Sequence, residues 1–304
     1  MTFGKSGQRP GEGAWLALMP ALFVLLWSTG FIGAKYGVPY ASPLLFLTVR
    51  FGLTALLLSV WALLTATRWP KGWQMYRDLA VTGILLHSIY LGGVFVAISQ
   101  GMPSGMAALV VSLQPLLVAA LAGMLLGERV SRLQWVGLVL GLGGVALMVL
   151  RDASLALDGL SLDSLAPVAL CLLSLVAITL AVLYQKAHLG AMPQVGGNVL
   201  QFLFATLVSG IGVLLFEPVP RIEWTWSFLF ALAWLVLVLS IGAIGFFLAM
   251  VRRGAASKVS SLFFLVPPCT ALLAWPLFGE TLDGLQLAGM ALAVFGVYLA
   301  NRRS

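Results

Sequence analysis

The chain has 304 residues, of which 61% are hydrophobic and only 9% are charged, and its formal net charge is +7. Soluble domains are usually about half apolar and about a quarter charged, so this composition excludes a water-soluble globule and indicates a protein embedded in a bilayer. The positive residues occur singly or in pairs between long apolar runs, which excludes the basic face of a nucleic-acid-binding module and favours a role in membrane orientation.

Ten apolar runs follow one another along the chain, each of about the length that crosses roughly 30 Å of hydrocarbon. They lie near 14–34, 43–65, 78–99, 103–126, 132–150, 164–186, 195–216, 226–251, 257–278 and 283–301. The first run is too long for a secretory signal, and nine more follow it, so we interpret it as a retained membrane helix. The connections are short, and the prediction is an all-α integral membrane protein with ten transmembrane helices.

The orientation follows from lysine and arginine, which are enriched in cytoplasmic loops. With a cytoplasmic N-terminus, 13 of the 17 basic residues lie inside and only Lys35, Arg151 and Arg221 lie outside. The seventeenth, Arg50, lies within the second run, where it must find carbonyl groups or a carboxylate as partners. We therefore expect a multi-pass protein of the cell (inner) membrane with both termini in the cytoplasm.

The two halves of the chain carry the same pattern. "LGERVSRLQWVGLVLGLGGV" at 126–145 recurs as "FGETLDGLQLAGMALAVFGV" at 278–297, at an offset of 152 residues with no gap. Because each half has five spans, an odd number, the second half enters the membrane from the opposite side, as in many secondary transporters. The sequence thus predicts two inverted five-helix repeats around a central cavity. The predicted parts are a cytoplasmic tail (1–13), a first repeat (14–151), an external linker (152–163) and a second repeat with a short cytoplasmic C-terminus (164–304).

Two pairs of equivalent residues have predicted structural roles. Glu128 and Glu280 each follow a glycine and precede a helix, so each carboxylate is predicted to accept hydrogen bonds from the free N–H groups of the following helix. Binding of substrate or protons is the alternative for these glutamates. Pro115 and Pro267 break the fourth and ninth runs and are predicted to serve as hinges between the halves.

Three segments resemble a known family. These are "SLQPLLVAALAGMLLGERVSRLQWVGLVLGLGGV", its second copy "FLVPPCTALLAWPLFGETLDGLQLAGMALAVFGV", and "LLWSTGFIGAKYG" near the start. They are similar to the EamA-type proteins of the drug/metabolite transporter superfamily, and the resemblance covers essentially the whole chain. It implies a ten-helix, inverted-repeat inner-membrane transporter that exports small metabolites such as amino acids. The shared motifs are structural, so the resemblance does not identify the substrate.

Polar and aromatic side chains within the spans indicate where a substrate would bind, since such groups are costly in lipid and normally face a cavity or another helix. The candidates are Trp27, Ser28, His87, Tyr90, Gln114, Ser174, Thr179, Tyr184 and Ser240. His87 and Tyr90 are three residues apart and are predicted to share one helix face. The alternatives are a bond to a neighbouring carbonyl for His87, helix-to-helix bonding for Gln114, and packing for Trp27 and Tyr90. Lys35 and Lys186 are equivalent in the repeat and either snorkel or capture an anion.

The predicted mechanism follows from the groups that the spans contain. No carboxylate lies in the middle of a run, so a proton relay would depend on His87, the mid-membrane group that could titrate near neutrality. We expect a facilitated or weakly coupled exporter of small metabolites, with aromatic or other hydrophobic amino acids as the substrate class. Transport of other metabolites or drugs, or a channel or lipid scramblase of the same fold, are the alternatives.

An enzyme is not expected, because the two histidines lie on different spans and neither a histidine metal motif nor a P-loop occurs. The sequence predicts no cofactor and no metal. The expected partners are a small-molecule substrate and the lipid bilayer, without nucleic acid, and the chain is expected to be a monomer or a homodimer.

Overall fold

A computed structural model describes residues 12–118, 162–190, 192–243, 265–280 and 283–301, together with isolated positions between 121 and 147. Over these residues the regular structure is helical, and the only β contact among them is an isolated antiparallel bridge between Ala41 and Ile222. The all-α class predicted from the apolar runs is therefore confirmed.

The helices begin and end close to the predicted runs. They are α1 (Glu12–Gly37), α2 (Pro43–Leu64), α3 (Trp73–Gly83), α4 (Tyr90–Ser99), α5 (Ser104–Val111), α6 (Leu162–His188), α7 (Gln194–Phe216), α8 (Trp226–Ala233), α9 (Val266–Phe278) and α10 (Gly284–Asn301). A 3-10 turn, Val38–Tyr40, follows α1. A π-helix, Ile84–Ile89, joins α3 and α4 into one span, and a second π-helix, Trp234–Ala243, continues α8.

Among the residues that the structure describes, six helical segments are long and apolar enough to cross a membrane. These are Ala21–Tyr40, Pro43–Leu64, Trp73–Ser99, Leu165–His188, Gln194–Phe216 and Trp226–Ala243, and three shorter apolar helices accompany them. Large apolar side chains such as Leu64 and Leu214 point outward, as expected where lipid replaces water around the protein. The chain is thus a multi-pass membrane protein. The count of ten spans remains a prediction, because most of the fifth run lies outside the described residues.

Helices from the first half pack mainly against helices from the second half. α2 makes its most extensive contact with α7, α4 packs against α6, and both α1 and α5 pack against α9. Equivalent helices of the two halves make equivalent contacts. α1 contacts α8 and the π-helix that continues it, and correspondingly α6 contacts α4 and the π-helix that precedes it. The two halves therefore share a broad interface on which a site can be built from both.

The close contact between α4 and α6 requires a glycine. A Cβ atom placed on Gly93 would lie 2.2 Å from the Ser174 hydroxyl oxygen and 2.9 Å from the Leu170 carbonyl oxygen. Both distances are shorter than real Cβ contacts. Glycine at this position is what allows the two helices to approach, as small residues do at many membrane helix crossings.

The two predicted proline breaks differ in detail. α5 ends at Val111, a turn follows, and the helix resumes at Gln114 just before Pro115, as expected because proline cannot continue the preceding hydrogen-bond pattern. Pro267 lies in the first turn of α9, where the missing N–H is tolerated. It therefore begins a described helix rather than interrupting one. The hinge role of both prolines remains a prediction.

Candidate functional site

A cavity lies where helices of the two halves meet. It is lined by Trp27, Phe31, Tyr90, Ala108, Val111, Ser112, Gln114, Ile178 and Val266. These residues come from α1, α4, α5 and the segment after it, and from α6 and α9. The space open to a water-sized molecule is only about 10 Å³, room for roughly one water. We call it the Tyr90 cavity, and in this structure it is too narrow for a solute of amino-acid size.

Three of the residues predicted from the sequence line this cavity: Trp27, Tyr90 and Gln114. Tyr90 is buried, and the Trp27 ring lies 5.4 Å from that of Phe23. The other lining residues are apolar except Ser112, whose hydroxyl donates to the Leu109 carbonyl at 2.7 Å. Phe31 was not predicted, because an apolar residue in an apolar span carries no signal in the sequence.

Three other predicted residues are not part of the cavity lining, although Ser28 also donates to the carbonyl of the lining residue Val266 at 3.3 Å. Ser28 donates to the Val24 carbonyl at 2.7 Å, Ser174 to the Leu170 carbonyl at 2.8 Å, and Thr179 to the Leu175 carbonyl at 2.6 Å. All three are buried. Each hydroxyl is satisfied by the carbonyl four residues earlier in its own helix, so it can remain in an apolar span without facing a cavity.

Tyr184 belongs to a polar cluster at helix ends. Its hydroxyl donates to Asp78 Oδ1 at 2.8 Å, and its ring stacks on His188 with 4.2 Å between the centroids. Arg77 donates to the same carboxylate oxygen from Nε and Nη2, at 3.0 and 2.9 Å. Tyr184 was predicted to line the cavity. Its side chain instead connects α3 to the end of α6.

His87 and Tyr90 both lie within range of an electrostatic interaction with Arg50, but their other contacts differ. His87 lies on the π-helix Ile84–Ile89 and stacks on Phe202, with 4.2 Å between the ring centroids and an interplanar angle of 22°. The Phe51 ring lies 5.7 Å away. A π-helix has a wider turn than an α-helix, so the two side chains are turned further apart around the helix axis than the same spacing gives in an α-helix. His87 is part of an aromatic cluster, whereas Tyr90 lines the cavity.

Arg50 has an unusual environment for a cation. The side chain is buried, and its Nη2 donates to the Ser240 hydroxyl at 3.3 Å. The guanidinium carbon lies 5.9 Å from the Phe51 ring centroid and 6.0 Å from that of Phe95. Nε and Nη1 have no hydrogen-bond partner within the described part of the chain. Rings at this distance stabilise a cation, but burial of a charge without a counter-ion remains costly.

Ser240 is therefore a partner of Arg50 rather than a lining residue of the Tyr90 cavity. It lies in the second π-helix and donates its own hydrogen to the Leu235 carbonyl, five residues earlier, at 3.0 Å. The hydroxyl is thus held with its oxygen toward the guanidinium. The sequence singled out both Arg50 and Ser240 as polar residues within spans, but it gave no indication that they form a pair.

Glu280 caps a helix, but not the one predicted. Its carboxylate pairs with Lys35 and accepts hydrogen bonds from the Ser104 backbone N–H at 3.1 Å and the Ser104 hydroxyl at 3.0 Å. It therefore caps α5 of the first half rather than α10. Gly279 adopts a left-handed conformation, with φ of 67°, that ends α9, and the following side chain can then reach across to the other half.

The cap of α10 is Asp283. Its Oδ1 accepts from the backbone N–H groups of Leu285 and Gln286, both at 2.9 Å, and the Gln286 side chain accepts from the Asp283 N–H at 3.1 Å. This reciprocal arrangement is a capping box, and its Asp-x-x-Gln signal is present in the sequence. The second predicted repeat cap, Glu128, lies outside the described residues.

The sequence of the chain matches a known family. A model of the EamA-like transporter family matches residues 13–150 and 165–302, once in each half. The uncharacterized inner membrane transporter YedA of Escherichia coli (strain K12) is 29% identical, over 94% of this chain and 91% of YedA. A probable amino-acid metabolite efflux pump of Salmonella typhimurium is 28% identical, over 91% of this chain and 92% of the pump.

A solved crystal structure with 20% sequence identity has a TM-score of 0.64 to this protein and covers 96% of this chain and 99% of its own. At this identity the likeness concerns the fold. The family model matches each half separately, in agreement with the repeat in the sequence. The chain therefore belongs to the EamA-like transporter family and is a membrane transporter, not an enzyme.

Proposed function

We propose that the protein exports small metabolites, with aromatic or other hydrophobic amino acids as the substrate class. The observation that carries this proposal is the lining of the Tyr90 cavity, in which Trp27, Phe31 and Tyr90 surround a site with one amide, that of Gln114. Aromatic walls favour an apolar or aromatic side chain. Sugars or nucleotides would require more polar partners than this lining offers. The name of the Salmonella relative, a probable amino-acid metabolite efflux pump, agrees with this class.

Transport proceeds by alternating access of the two inverted halves. The Tyr90 cavity is walled by helices of both halves and has space for about one water, so a solute of amino-acid size can enter only when the halves move apart. The ion pair of Lys35 with Glu280, together with Ser104, joins the ends of α1, α5 and α9. We assign this end of the bundle to the extracytoplasmic face, with both termini in the cytoplasm. In this arrangement the contact opens to release the solute.

The internal repeat suggests a matching contact at the opposite end. Glu128 is the equivalent of Glu280 at the offset of 152, and Lys186 is the equivalent of Lys35 if one residue is inserted between the two blocks. A pair between them would close the cytoplasmic end when the extracytoplasmic end opens, as expected for carriers built from inverted repeats. Rocking about Pro115 and Pro267 would then exchange the two closed ends.

The experiment is counterflow in proteoliposomes. Vesicles are preloaded with unlabelled tryptophan, phenylalanine, threonine or glutamate, and entry of each labelled amino acid is followed with and without a pH gradient. Saturable uptake that depends on preloading with an aromatic amino acid would support the proposal, and would also separate a carrier from a channel or scramblase. Absence of exchange with every amino acid, in folded protein, would contradict the proposed substrate class.

A matched pair of variants assigns the exchange to the cavity. Tyr90→Phe removes a hydroxyl at the cavity, whereas Tyr298→Phe removes one from an exposed position on α10. We expect the first variant to weaken aromatic amino-acid exchange and the second to match the wild type. Equal activity of both variants would show that the Tyr90 hydroxyl does not bind the solute.

A further inference from the structure

We infer that Arg50 binds an anionic group of the transported solute, namely a carboxylate, an inference that rests on the transport function proposed above. Two nitrogen atoms of this buried guanidinium, Nε and Nη1, have no hydrogen-bond partner in the described part of the chain. The third, Nη2, is bound among the described residues only to the neutral hydroxyl of Ser240. Several N–H donors are therefore free to bind an anion that the protein itself does not supply.

The carboxylates of the neighbouring helix ends are already engaged elsewhere. Asp78 bonds Arg77 and Tyr184. Glu217 accepts from the backbone N–H groups at the start of α2, at 2.7 and 3.1 Å. Glu280 bonds Lys35 and Ser104, and Asp283 caps α10.

The remaining acidic residues of the chain, Glu12, Glu128, Asp152, Asp158, Asp163 and Glu223, all lie at run ends or in connecting segments of the sequence. Arg50 lies seven residues into α2, about 10 Å from the start of that helix. A counter-ion for Arg50 would therefore have to come from a ligand.

The surroundings of Arg50 are built from equivalent parts of the two halves. His87 lies on the π-helix Ile84–Ile89, and Ser240 lies on the π-helix Trp234–Ala243. Shifting residues 84–89 by the repeat offset of 152 places them at 236–241, inside the second π-helix. π-helical turns occur frequently at functional sites. Two such turns at equivalent positions place Arg50 where a transporter with inverted repeats is expected to hold its solute.

Tyr90 connects this cation to the Tyr90 cavity. It lines the cavity, and it also lies within range of a direct electrostatic interaction with Arg50. When the halves separate, the free N–H groups are positioned to meet a carboxylate at the edge of the widened cavity, with the apolar part of the solute against Trp27 and Phe31. The rings of Phe51 and Phe95 flank the guanidinium and hold it by cation–π contact.

If Arg50 binds the carboxylate, the transporter should distinguish a solute that has a carboxylate from one that lacks it, even when the two have the same side chain. In proteoliposomes with labelled phenylalanine, unlabelled phenylalanine is compared as a competitor with its methyl ester and with phenethylamine, which lack the carboxylate. The wild type should prefer phenylalanine over both by about 10- to 100-fold, the range typical of hydrogen bonds to a charged group. Arg50→Gln should reduce this ratio to near one. Arg50→Lys keeps the charge but loses the planar donors and should fall between them.

The control is Arg221→Gln, which neutralises an exposed arginine in the segment before α8 and should retain the wild-type ratio. Size-exclusion chromatography in detergent establishes that each variant is folded. If Arg50→Gln is folded and keeps the same preference for phenylalanine over its ester, the inference is overturned. If Arg50→Gln does not fold, the preference for phenylalanine over its ester is measured with Arg50→Lys instead. A preference equal to that of the wild type would overturn the inference.

A separate arm distinguishes failure of this inference from failure of the proposed substrate class. If the wild type exchanges no amino acid, thermal unfolding of the detergent-solubilised protein is measured with phenylacetate, phenethylamine or chloride. Stabilisation by phenylacetate in the wild type, lost in Arg50→Lys, would retain the carboxylate site although the amino-acid proposal fails. Equal stabilisation of both proteins by phenylacetate, stabilisation by chloride alone, or none would overturn the site itself.

Discussion

Glu280, near the C-terminus of the chain, forms an ion pair with Lys35 at the end of the first helix, 245 residues away. The same carboxylate caps α5 through Ser104. One side chain of the second half thus holds two helices of the first half at one end of the bundle. Since both partners are only partly exposed, the pair is better shielded from water than a surface salt bridge, which is worth little on its own.

Removal of this carboxylate should open the bundle at the Lys35 end. A reporter cysteine at Ala108, which lines the Tyr90 cavity, is introduced after Cys171 and Cys269 have been replaced by alanine. Loss of a helix cap worth about 1 kcal/mol should raise the rate of labelling by a water-soluble maleimide about fivefold in Glu280→Ala. The exposed Glu223 provides the control variant Glu223→Ala. Identical labelling rates in the two variants would show that Glu280 does not hold this end closed.

Asp283 should contribute to the stability of α10 through its two backbone hydrogen bonds. Asp283→Ala removes the acceptor and is expected to cost about 1 kcal/mol, whereas Asp283→Asn keeps an acceptor oxygen and should cost only a few tenths. Thermal unfolding in detergent measures both as a fall in Tm. A Tm for Asp283→Asn as low as that for Asp283→Ala would mean that charge, not capping, accounts for the effect.

The elements that the sequence predicted are those that depend on local pattern. Apolar runs predicted the helices, and the position of Pro115 predicted a helix break close to where one occurs. The partners of Glu280 are 176 and 245 residues away. They depend on how the helices pack, so local pattern assigned the cap to the nearest helix instead. The capping box of Asp283 and Gln286 is local and could have been recognised.

In the candidate site, too, some features could be predicted from the sequence and others depend on the structure. Tyr90 and Gln114 line the cavity, and their role in binding a solute stays a prediction from the cost of polar groups in lipid. Ser174 and Thr179 bond the carbonyl four residues back, so their polarity gives no information about the cavity. His87 and Tyr90 were predicted to share a face of an α-helix. The sequence did not indicate that His87 lies on a π-helix and stacks on Phe202.

The crossing of α4 and α6 should not tolerate a side chain at Gly93. An added Cβ would meet Ser174 Oγ at 2.2 Å and the Leu170 carbonyl oxygen at 2.9 Å, and the second contact is with backbone that cannot rotate away. Gly93→Ala is therefore expected to destabilise the protein by about 1 to 3 kcal/mol, the range typical of overpacking. At the adjacent Gly92 the nearest atom to an added Cβ is at 3.7 Å, so Gly92→Ala is the matched control. A similar fall in Tm for both variants would indicate a general cost of alanine here rather than the helix contact.

The stacking of His87 on Phe202 predicts that this histidine packs within the bundle and does not carry protons. His87→Phe keeps an aromatic ring against Phe202 and Phe51 and should retain counterflow within about twofold, whereas His87→Ala leaves a cavity and should lower stability by about 2 kcal/mol or more.

Exchange by the wild type should also be indifferent to an imposed pH gradient, since no carboxylate lies in the middle of a span to replace His87 as a relay. The measurement is counterflow of phenylalanine by wild type, His87→Phe and His87→Ala at equal and unequal pH, with Tm in parallel. A pH-driven accumulation in the wild type that disappears in His87→Phe while Tm is preserved would identify His87 as a proton-binding group and contradict its packing role.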